Sequence, residues 1–217
     1  MSSLESKKYW NKKIIEWEKS SYGGSSKELS FIEKVATRFR APIKKRRKIL
    51  LNLLKDMVKS KTVLELGCGS GDLCFEFLKL GATKVIGIDI AEVAIKAACE
   101  KAIAAKLQDK AVFFIKDIRE DVSLPDADFV VGLGFIDYID AETLKKLFAC
   151  IKRRFIFSFP EKKKNLINIL HFIYLKSQKC PTFYKFNREE FNNIDGMNGK
   201  CRFFSVNHMT FIANFTP

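Results

Sequence analysis

Apolar positions at the start of the chain recur at spacings of about three, four and seven residues. Leu4, Trp10, Ile14 and Trp17 follow this spacing before the Gly23-Gly24 pair interrupts it. Such spacing places side chains on one face of an α-helix. The pattern predicts three helices within the first 60 positions: one that ends before the glycine pair, one over 27–40 and one over 43–58.

From residue 61 onward, short apolar segments alternate with amphipathic ones. The predicted strands are 62–66, 84–89, 112–115, 128–133 and 154–159, and the predicted helices between them are 71–80, 91–107 and 141–150. This alternation is typical of a parallel sheet with helices on both faces. The sequence therefore predicts an α/β fold.

The last part of the chain has a different pattern. It predicts helices over 163–176 and 188–193, and then strands over 201–206 and 209–215. The two strands flank Asn207-His208, which favours an antiparallel hairpin. Because no linker is long enough to divide the chain, we expect one domain over 1–217, with an N-terminal helical cap (1–60), a β/α core (61–160) and a tail (161–217).

The chain is strongly basic, with a formal net charge of +14. This charge favours an anionic partner or substrate. Lysines outnumber arginines by 30 to 9, whereas surfaces that read nucleic acid favour arginine. Nucleic acid is therefore the less favoured partner.

Cysteine and histidine usage argues against a bound metal. None of the six cysteines forms a C-x-x-C pair, and the chain has two histidines. The N-terminus has no apolar signal region, and no apolar run approaches the roughly 20 residues that cross a bilayer. These features predict a cytoplasmic protein with reduced cysteines and no metal.

A glycine-rich loop after the first strand is the strongest functional signal. Residues 65–71 read E-L-G-C-G-S-G, and Asp89 stands at the end of the next predicted strand, twenty residues after Gly69. Bare glycine backbone lets a nucleotide approach closely, and an acid at the second strand can accept bonds from ribose hydroxyls. The alternative for such an acid is a helix cap or a solvated strand end.

Two cofactor classes fit this geometry. A dinucleotide fingerprint requires a third glycine at position 72, where the chain has Asp72. An acid there would repel a pyrophosphate at the start of the helix. S-adenosylmethionine has no phosphate and carries a sulfonium and an ammonium, with which Glu65 and Asp72 are compatible. The pattern favours S-adenosylmethionine.

Four segments together resemble the motifs of class I S-adenosylmethionine-dependent methyltransferases. They are E-L-G-C-G-S-G (65–71), V-I-G-I-D-I (85–90), F-F-I-K-D-I (113–118) and D-A-D-F-V-V-G-L-G-F-I-D-Y (126–138). The resemblance implies a Rossmann-like, mostly parallel sheet of seven strands with a terminal antiparallel hairpin. It also makes the core the cofactor-binding region and the tail the acceptor cover and hairpin.

The same resemblance implies which residues bind the cofactor. They are Glu65, Gly67, Cys68, Gly69 and Gly71 at the loop, Asp89 and Ile90 at the second strand, Asp117 and Ile118 at the third, and Leu133 and Gly134 at the fourth. By this resemblance the four loop residues 67–69 and 71 would line the methionine part, and Asp89 and Ile90 would hold the ribose and adenine. Asp117 and Ile118 would lie at the adenine ring, and Leu133 and Gly134 would contribute backbone near the cofactor amine.

The acceptor is less well specified. The candidates for a catalytic base are Asp137 and Tyr138, which follow the fourth strand, and His171 in the predicted tail helix. Each has a structural alternative, as a helix-start acid, a pocket wall and a packed core residue. The run 157–191 is similar to magnesium-protoporphyrin O-methyltransferases and to bacterial enzymes that methylate surface glycans and lipid intermediates, which implies a hydroxyl or carboxyl acceptor.

We therefore predict S-adenosylmethionine-dependent methyl transfer to a small, anionic acceptor, namely O-methylation of a metabolite or of a glycan or lipid precursor. An RNA or protein methyltransferase is an alternative, with the basic run 44–48 as a phosphate contact. A catalytically silent cofactor-binding partner protein is another.

Two further features have alternative interpretations. The lysines at 162–164, 176 and 179 could contact an anionic membrane. The aromatic N-terminus could be a lid over the cofactor or a helix packed on the domain.

Overall fold

The computed structural model describes residues 3–22, 45–162, 180, 183–192, 194, 201–206 and 209–216. The helices predicted at 27–40 and 163–176 lie outside these residues, as do His171 and His208. Among the described residues, no helix combines the length and the apolar character that crossing a bilayer requires.

The described helices and strands follow the predicted order. The helices are α1 (Ser3–Tyr22), α2 (45–54), α3 (Asp72–Lys79), α4 (Glu92–Ala104), α5 (Ala141–Cys150) and α6 (Arg188–Asn192), with a 3₁₀ turn at Ile136–Tyr138. The strands are β1 (Thr62–Leu66), β2 (Lys84–Asp89), β3 (Ala111–Ile115), β4 (Phe129–Leu133), β5 (Arg154–Phe159), β6 (Arg202–Val206) and β7 (Met209–Ala213).

The strands form one seven-stranded sheet in the order β3-β2-β1-β4-β5-β7-β6. The first five pair in parallel, whereas β7 is antiparallel to both β5 and β6. This confirms the predicted Rossmann-like sheet with a terminal hairpin. Chain order reverses at β1, which lies between β2 and β4, and such a switch opens a crevice at the carboxyl ends of the strands.

Side chains alternate between two apolar layers along β1. Val63 packs on one face of the sheet with Leu54 of α2 and Phe77 of α3, whereas Leu64 packs on the other face with Leu147 of α5. All of these side chains are buried. Since strand side chains alternate with period two, one short strand joins both halves of the core and leaves its carboxyl end free for the site.

Two predicted helices are too long at their carboxyl ends. The helix predicted over 43–58 ends at residue 54, and Val58 is buried by a turn in which its N–H bonds back to the Leu54 carbonyl. The helix predicted over 91–107 ends at Ala104, because Lys106 takes a φ of 56° and the Leu107 N–H folds back to Ala102. In both cases the apolar pattern continues past the helix because the turn ends in a buried or half-buried side chain, Val58 or Leu107.

Candidate active site

The loop between β1 and α3 is built from glycines in the left-handed region. The φ angles of Gly67, Gly69 and Gly71 are 72°, 53° and 79°, values that side chains other than glycine rarely adopt. A Cβ at Gly71 would also lie 2.7 Å from the Phe113 ring. The N–H groups of Gly67 and Cys68 both donate to the Ile88 carbonyl, which fixes this bare loop against the end of β2.

Asp89 ties this loop to the second strand. Its Oδ2 accepts a hydrogen bond from the Gly69 N–H at 2.9 Å, and its Oδ1 accepts one from the Ala91 N–H at 2.8 Å. The side chain is half-buried at the carboxyl end of β2. The carboxylate thus lies next to the glycine loop, at the edge of the sheet that the sequence predicted.

Glu65 lies behind the loop. Its side chain is almost fully buried, and its Oε2 accepts a hydrogen bond from the Cys74 thiol at 3.1 Å. Burial raises the pKa of Glu65 to about 8, although the Cys74 bond and the Arg47 charge act in the opposite direction. A neutral carboxyl therefore predominates at pH 7 unless a further cation comes near.

The raised pKa makes a prediction about stability. Between pH 4.5 and about 8 the folded chain holds a proton on Glu65 that the unfolded chain has released, so the free energy of unfolding falls as pH rises through this window. Glu65→Gln keeps an acceptor for Cys74 and cannot ionise. Without cofactor, we expect the free energy of unfolding of Glu65→Gln to exceed that of the wild type by up to ~4 kcal/mol above pH 8. This difference should vanish below pH 4.5.

Urea unfolding at about pH 4.5, 6 and 8.5 measures this difference across the window set by the two pKa values. Glu100→Gln, an exposed carboxyl on α4, is the control for removing a carboxylate elsewhere. Parallel stability curves for Glu65→Gln and wild type would show that Glu65 ionises in the folded chain as it does in the unfolded one.

The end of β3 is held by an ion pair and by α1. Arg119 donates to both Asp117 oxygens, with Nη2 at 2.6 Å from Oδ2 and Nε at 2.9 Å from Oδ1, and Ser3 donates to Oδ2. Burial would raise the pKa of Asp117, but these donors outweigh it and lower the pKa. A cleft of about 450 Å³ opens beside this carboxylate, with Leu4, Lys7, Ile90 and Ile115 among its lining.

The two residues predicted at the adenine ring differ in position. Asp117 lines this cleft, whereas Ile118 is buried in the core and is not part of the cleft lining. The structure therefore places Asp117 and Ile90, which follows β2, in the lining of the same cleft. Ile118 instead packs in the hydrophobic core behind them.

The turn after β4 meets the glycine loop. Gly134 has a φ of 65°, and its N–H donates to the Ser158 hydroxyl at 3.1 Å. Ser158 is fully buried and pairs in register with Leu133. The next residue, Phe135, lies 3.0 Å from the point that a Cβ on Gly67 would occupy. The ends of β1 and β4 are therefore in contact.

Asp137 is buried beside this turn with 4% of its surface exposed. Its Oδ2 lies 3.5 Å from the point that a Cβ on Gly134 would occupy, and its Oδ1 has no hydrogen-bond partner among the described residues. Burial raises the pKa of Asp137 to about 7, against a lowering by the Arg46 charge. A carboxyl with this pKa can gain and lose a proton near neutral pH.

Tyr138 lies in an aromatic wall. Its ring centroid is 4.8 Å from that of Trp10 on α1 and 6.0 Å from that of Phe183. Burial and the neighbouring Asp137 raise the pKa of the Tyr138 hydroxyl well above its ordinary value. Of the three predicted base candidates, the structure thus brings Asp137 and Tyr138 together, and it leaves Tyr138 protonated at neutral pH.

The basic run does not form one face. Lys45 and Lys48 are exposed, whereas Arg47 donates to the Asp72 carbonyl at 2.9 Å and pairs with Glu76. Arg46 points elsewhere, with its Nη1 at 3.2 Å from the Cβ point of Gly134. Nothing in the sequence distinguishes Arg46 or Ser158, because their contacts join distant segments.

Asp72 is also paired. Lys101 lies 2.7 Å from its carboxylate and Arg47 lies 4.0 Å from it. Its negative charge is therefore largely balanced within the chain, which weakens the argument that this acid repels a pyrophosphate. The described residues contain no group of three or more His, Cys, Asp or Glu that could hold a metal ion.

Comparison with known proteins finds a family that matches the central part of the chain. Residues 63–155, which contain the glycine loop, Asp89, Asp117 and the β4 turn, match the family described as "Methyltransferase domain". The matched segment is less than half of the chain, and it is similar to this family.

Sequence relatives align with this chain over part of their length. The ribosomal protein L11 methyltransferase of Photobacterium profundum is 47% identical over 79 residues, which are 36% of this chain and 26% of that protein. The chain thus matches about a quarter of the length of this relative.

Solved structures are similar to this chain over almost its whole length. The magnesium protoporphyrin IX methyltransferase of Synechocystis PCC 6803 with bound S-adenosylhomocysteine superposes with a TM-score of 0.72 and 21% identity, and covers 98% of each chain. The geranyl diphosphate C-methyltransferase of Streptomyces coelicolor A3(2) gives a TM-score of 0.65 at 11% identity, over 97% of this chain and 96% of that one. These similarities show the fold.

The residues present fit the cofactor. The loop offers backbone without side chains, Asp89 offers a carboxylate at the strand end, and the cleft beside Asp117 has room for a nucleobase. Glu65 is a carboxyl that a nearby cation would ionise, so the site can adapt to a positively charged ligand.

Proposed function

We propose that this chain is an S-adenosylmethionine-dependent methyltransferase. Its acceptor would be an oxygen atom of a small, anionic metabolite or of a glycan or lipid precursor. Asp137 carries this proposal, because it is buried, has one oxygen without a hydrogen-bond partner among the described residues and has a pKa of about 7. A hydroxyl acceptor must lose its proton as it is methylated, and a base with a pKa near neutrality suits that step.

The cofactor would lie along the carboxyl ends of β1 and β2. We infer that Gly67, Cys68, Gly69 and Gly71 line its methionine part with Glu65 behind them, and that Leu133 and Gly134 lie near its amine. Asp89 and Ile90 contact the ribose and adenine, and Asp117 flanks the adenine with Ile118 packed behind it in the core. When bound, it supplies a methyl group activated by a sulfonium. The turn at Gly134, which touches the glycine loop through Phe135, brings Asp137 towards this position.

The residues around the acceptor have different roles. Asp137 accepts the proton of the acceptor hydroxyl, since it is the buried acid next to the turn. Tyr138 keeps its proton and, with Trp10 and Phe183, walls the site against water. Ser158 holds the Gly134 N–H and so fixes the turn.

Charge supports an anionic acceptor. The chain has 39 Lys and Arg against 25 Asp and Glu, and the exposed Lys45 lies on the same helix as Arg46. A positive surface raises the local concentration of small anions. RNA is less favoured, because Arg46 and Arg47 turn inward and the basic run does not present a continuous surface for phosphates.

A protein acceptor is the second candidate. The observation in its favour is the identity of 47% over 79 residues to a ribosomal protein L11 methyltransferase. A match of this length is a local one that accounts for 36% of this chain, so it reflects a shared core more than a shared acceptor. A silent cofactor-binding protein is opposed by the intact loop and by Asp137.

Labelled methyl transfer separates these candidates. Purified protein is incubated with S-adenosylmethionine carrying a tritiated methyl group and with an extract of its organism of origin, which is then separated into small-molecule, protein and RNA fractions. We expect label in anionic small molecules, with none transferred by the Asp89→Ala control. Label confined to ribosomal protein or to RNA would replace the proposal, and no transfer to any fraction would favour a silent member.

A further inference from the structure

Arg46 is a cation in an unusual position. Its Nη1 lies 3.2 Å from the point that a Cβ on Gly134 would occupy, and Asp137 Oδ2 lies 3.5 Å from the same point. The side chain is half-buried, yet within the described part of the chain its guanidinium makes neither a hydrogen bond nor an ion pair. Its neighbour Arg47, by contrast, bonds to Asp72 and Glu76.

A half-buried guanidinium whose donors have no hydrogen-bond partner is unfavourable, because part of its hydration is lost. The charge of Asp137 acts on Arg46, but it does so without an ion pair. Its planar fork of donors matches the two oxygens of a carboxylate or the oxygens of a phosphate. Asp137 does not fill this role, since no ion pair joins it to Arg46 and its Oδ1 has no partner among the described residues. The turn thus presents a cation that is ready for an external oxyanion.

We propose that the Arg46 guanidinium forms an oxyanion subsite beside Gly134, where the absence of a side chain leaves room for the ligand. The inference rests on the proposed function and deepens it, because the Gly134 turn touches the glycine loop on one side and carries Asp137 on the other. The oxyanion comes either from the amino-acid carboxylate of the cofactor or from an acid group of the acceptor. Both have the same chemistry, and ligands that lack one or the other distinguish them.

The first arm compares two ligands by calorimetry. S-adenosylhomocysteine carries the carboxylate, whereas 5′-methylthioadenosine has the same nucleoside and sulfur without the amino acid. If the cofactor supplies the oxyanion, Arg46→Gln should lower the affinity for S-adenosylhomocysteine about 10- to 100-fold, as expected for the loss of a charged hydrogen bond. The affinity for 5′-methylthioadenosine should change by less than about twofold. Lys48→Gln, which removes an exposed charge from the same helix, should leave both unchanged.

The second arm tests the acceptor as the source. Protein saturated with S-adenosylhomocysteine is titrated with acetate and with inorganic phosphate, and its melting temperature is followed. If the acceptor supplies the oxyanion, Arg46→Gln leaves S-adenosylhomocysteine affinity intact, and these anions raise the melting temperature of wild type and of Lys48→Gln but not of Arg46→Gln. Arg46→Lys, which keeps the charge without the fork, should give an intermediate result in whichever arm responds.

The inference is overturned if Arg46→Gln behaves as Lys48→Gln does in both arms while it melts cooperatively. That result differs from failure of the proposed function, in which wild-type protein itself binds no S-adenosylhomocysteine or transfers no methyl group. If Arg46→Gln does not fold, the comparison of Arg46→Lys with wild type decides in the same way.

Discussion

Asp137→Asn should lower the rate of methyl transfer by about 100- to 10,000-fold, the usual contribution of a general base. The reason is that asparagine has the same shape and cannot accept the proton. Because burial already penalises the charged form of Asp137, the neutral amide should fold well and bind S-adenosylhomocysteine within about threefold of wild type, which is less than 1 kcal/mol. Single-turnover transfer to the labelled acceptor fraction, beside calorimetric affinity, measures both effects.

The pH profile gives this prediction a second readout. A base acts in its ionised form, so the wild-type rate should rise with pH and level off above the Asp137 pKa of about 7. The residual rate of Asp137→Asn should lack this rise. Glu142→Gln, an exposed acid in the first turn of α5, should keep the wild-type rate and profile. A normal single-turnover rate in Asp137→Asn would remove the residue from this role.

The sheet could be predicted because its signals are local. β1, β2 and β5 have the bounds that the sequence predicted, since each is an apolar run bounded by polar residues, glycine or proline. The glycine loop and Asp89 are likewise read from short segments. The helix ends at 54 and Ala104 were missed, because a buried turn and a helix bury apolar residues equally well.

The contacts that complete the site could not be read from the sequence. Ser158 and Gly134 are 24 positions apart in the sequence, and the Ser3 hydroxyl donates to Asp117, which is 114 positions away. No local pattern reveals that Lys101 pairs with Asp72 from the next helix. Such pairings depend on how helices cross the sheet. Arg46 falls in the same class, because its neighbours in the run are also basic and face other directions.

Asp89→Ala is expected to lower the affinity for S-adenosylhomocysteine by about 100-fold or more, since hydrogen bonds to a charged carboxylate contribute about 1.5–3 kcal/mol each. The substitution removes the acceptor proposed for the ribose hydroxyls. It also frees the N–H groups of Gly69 and Ala91, which now donate to the carboxylate at 2.9 and 2.8 Å. Loss of those two bonds loosens the glycine loop, so the ligand must also order the loop when it binds.

The pattern across two ligands separates Asp89 from Arg46. Because 5′-methylthioadenosine retains the ribose, Asp89→Ala should lower the affinity for this ligand as strongly as the affinity for S-adenosylhomocysteine. Arg46→Gln should lower only the affinity for S-adenosylhomocysteine if the cofactor carboxylate is the partner of Arg46. Asp109→Ala, an exposed acid in the turn before β3, should alter neither affinity. Calorimetry well below the melting temperature of each variant keeps unfolding out of the comparison. If Asp89→Ala bound both ligands as wild type does, the nucleoside would have to lie away from the end of β2, and the site built around the glycine loop would be wrong.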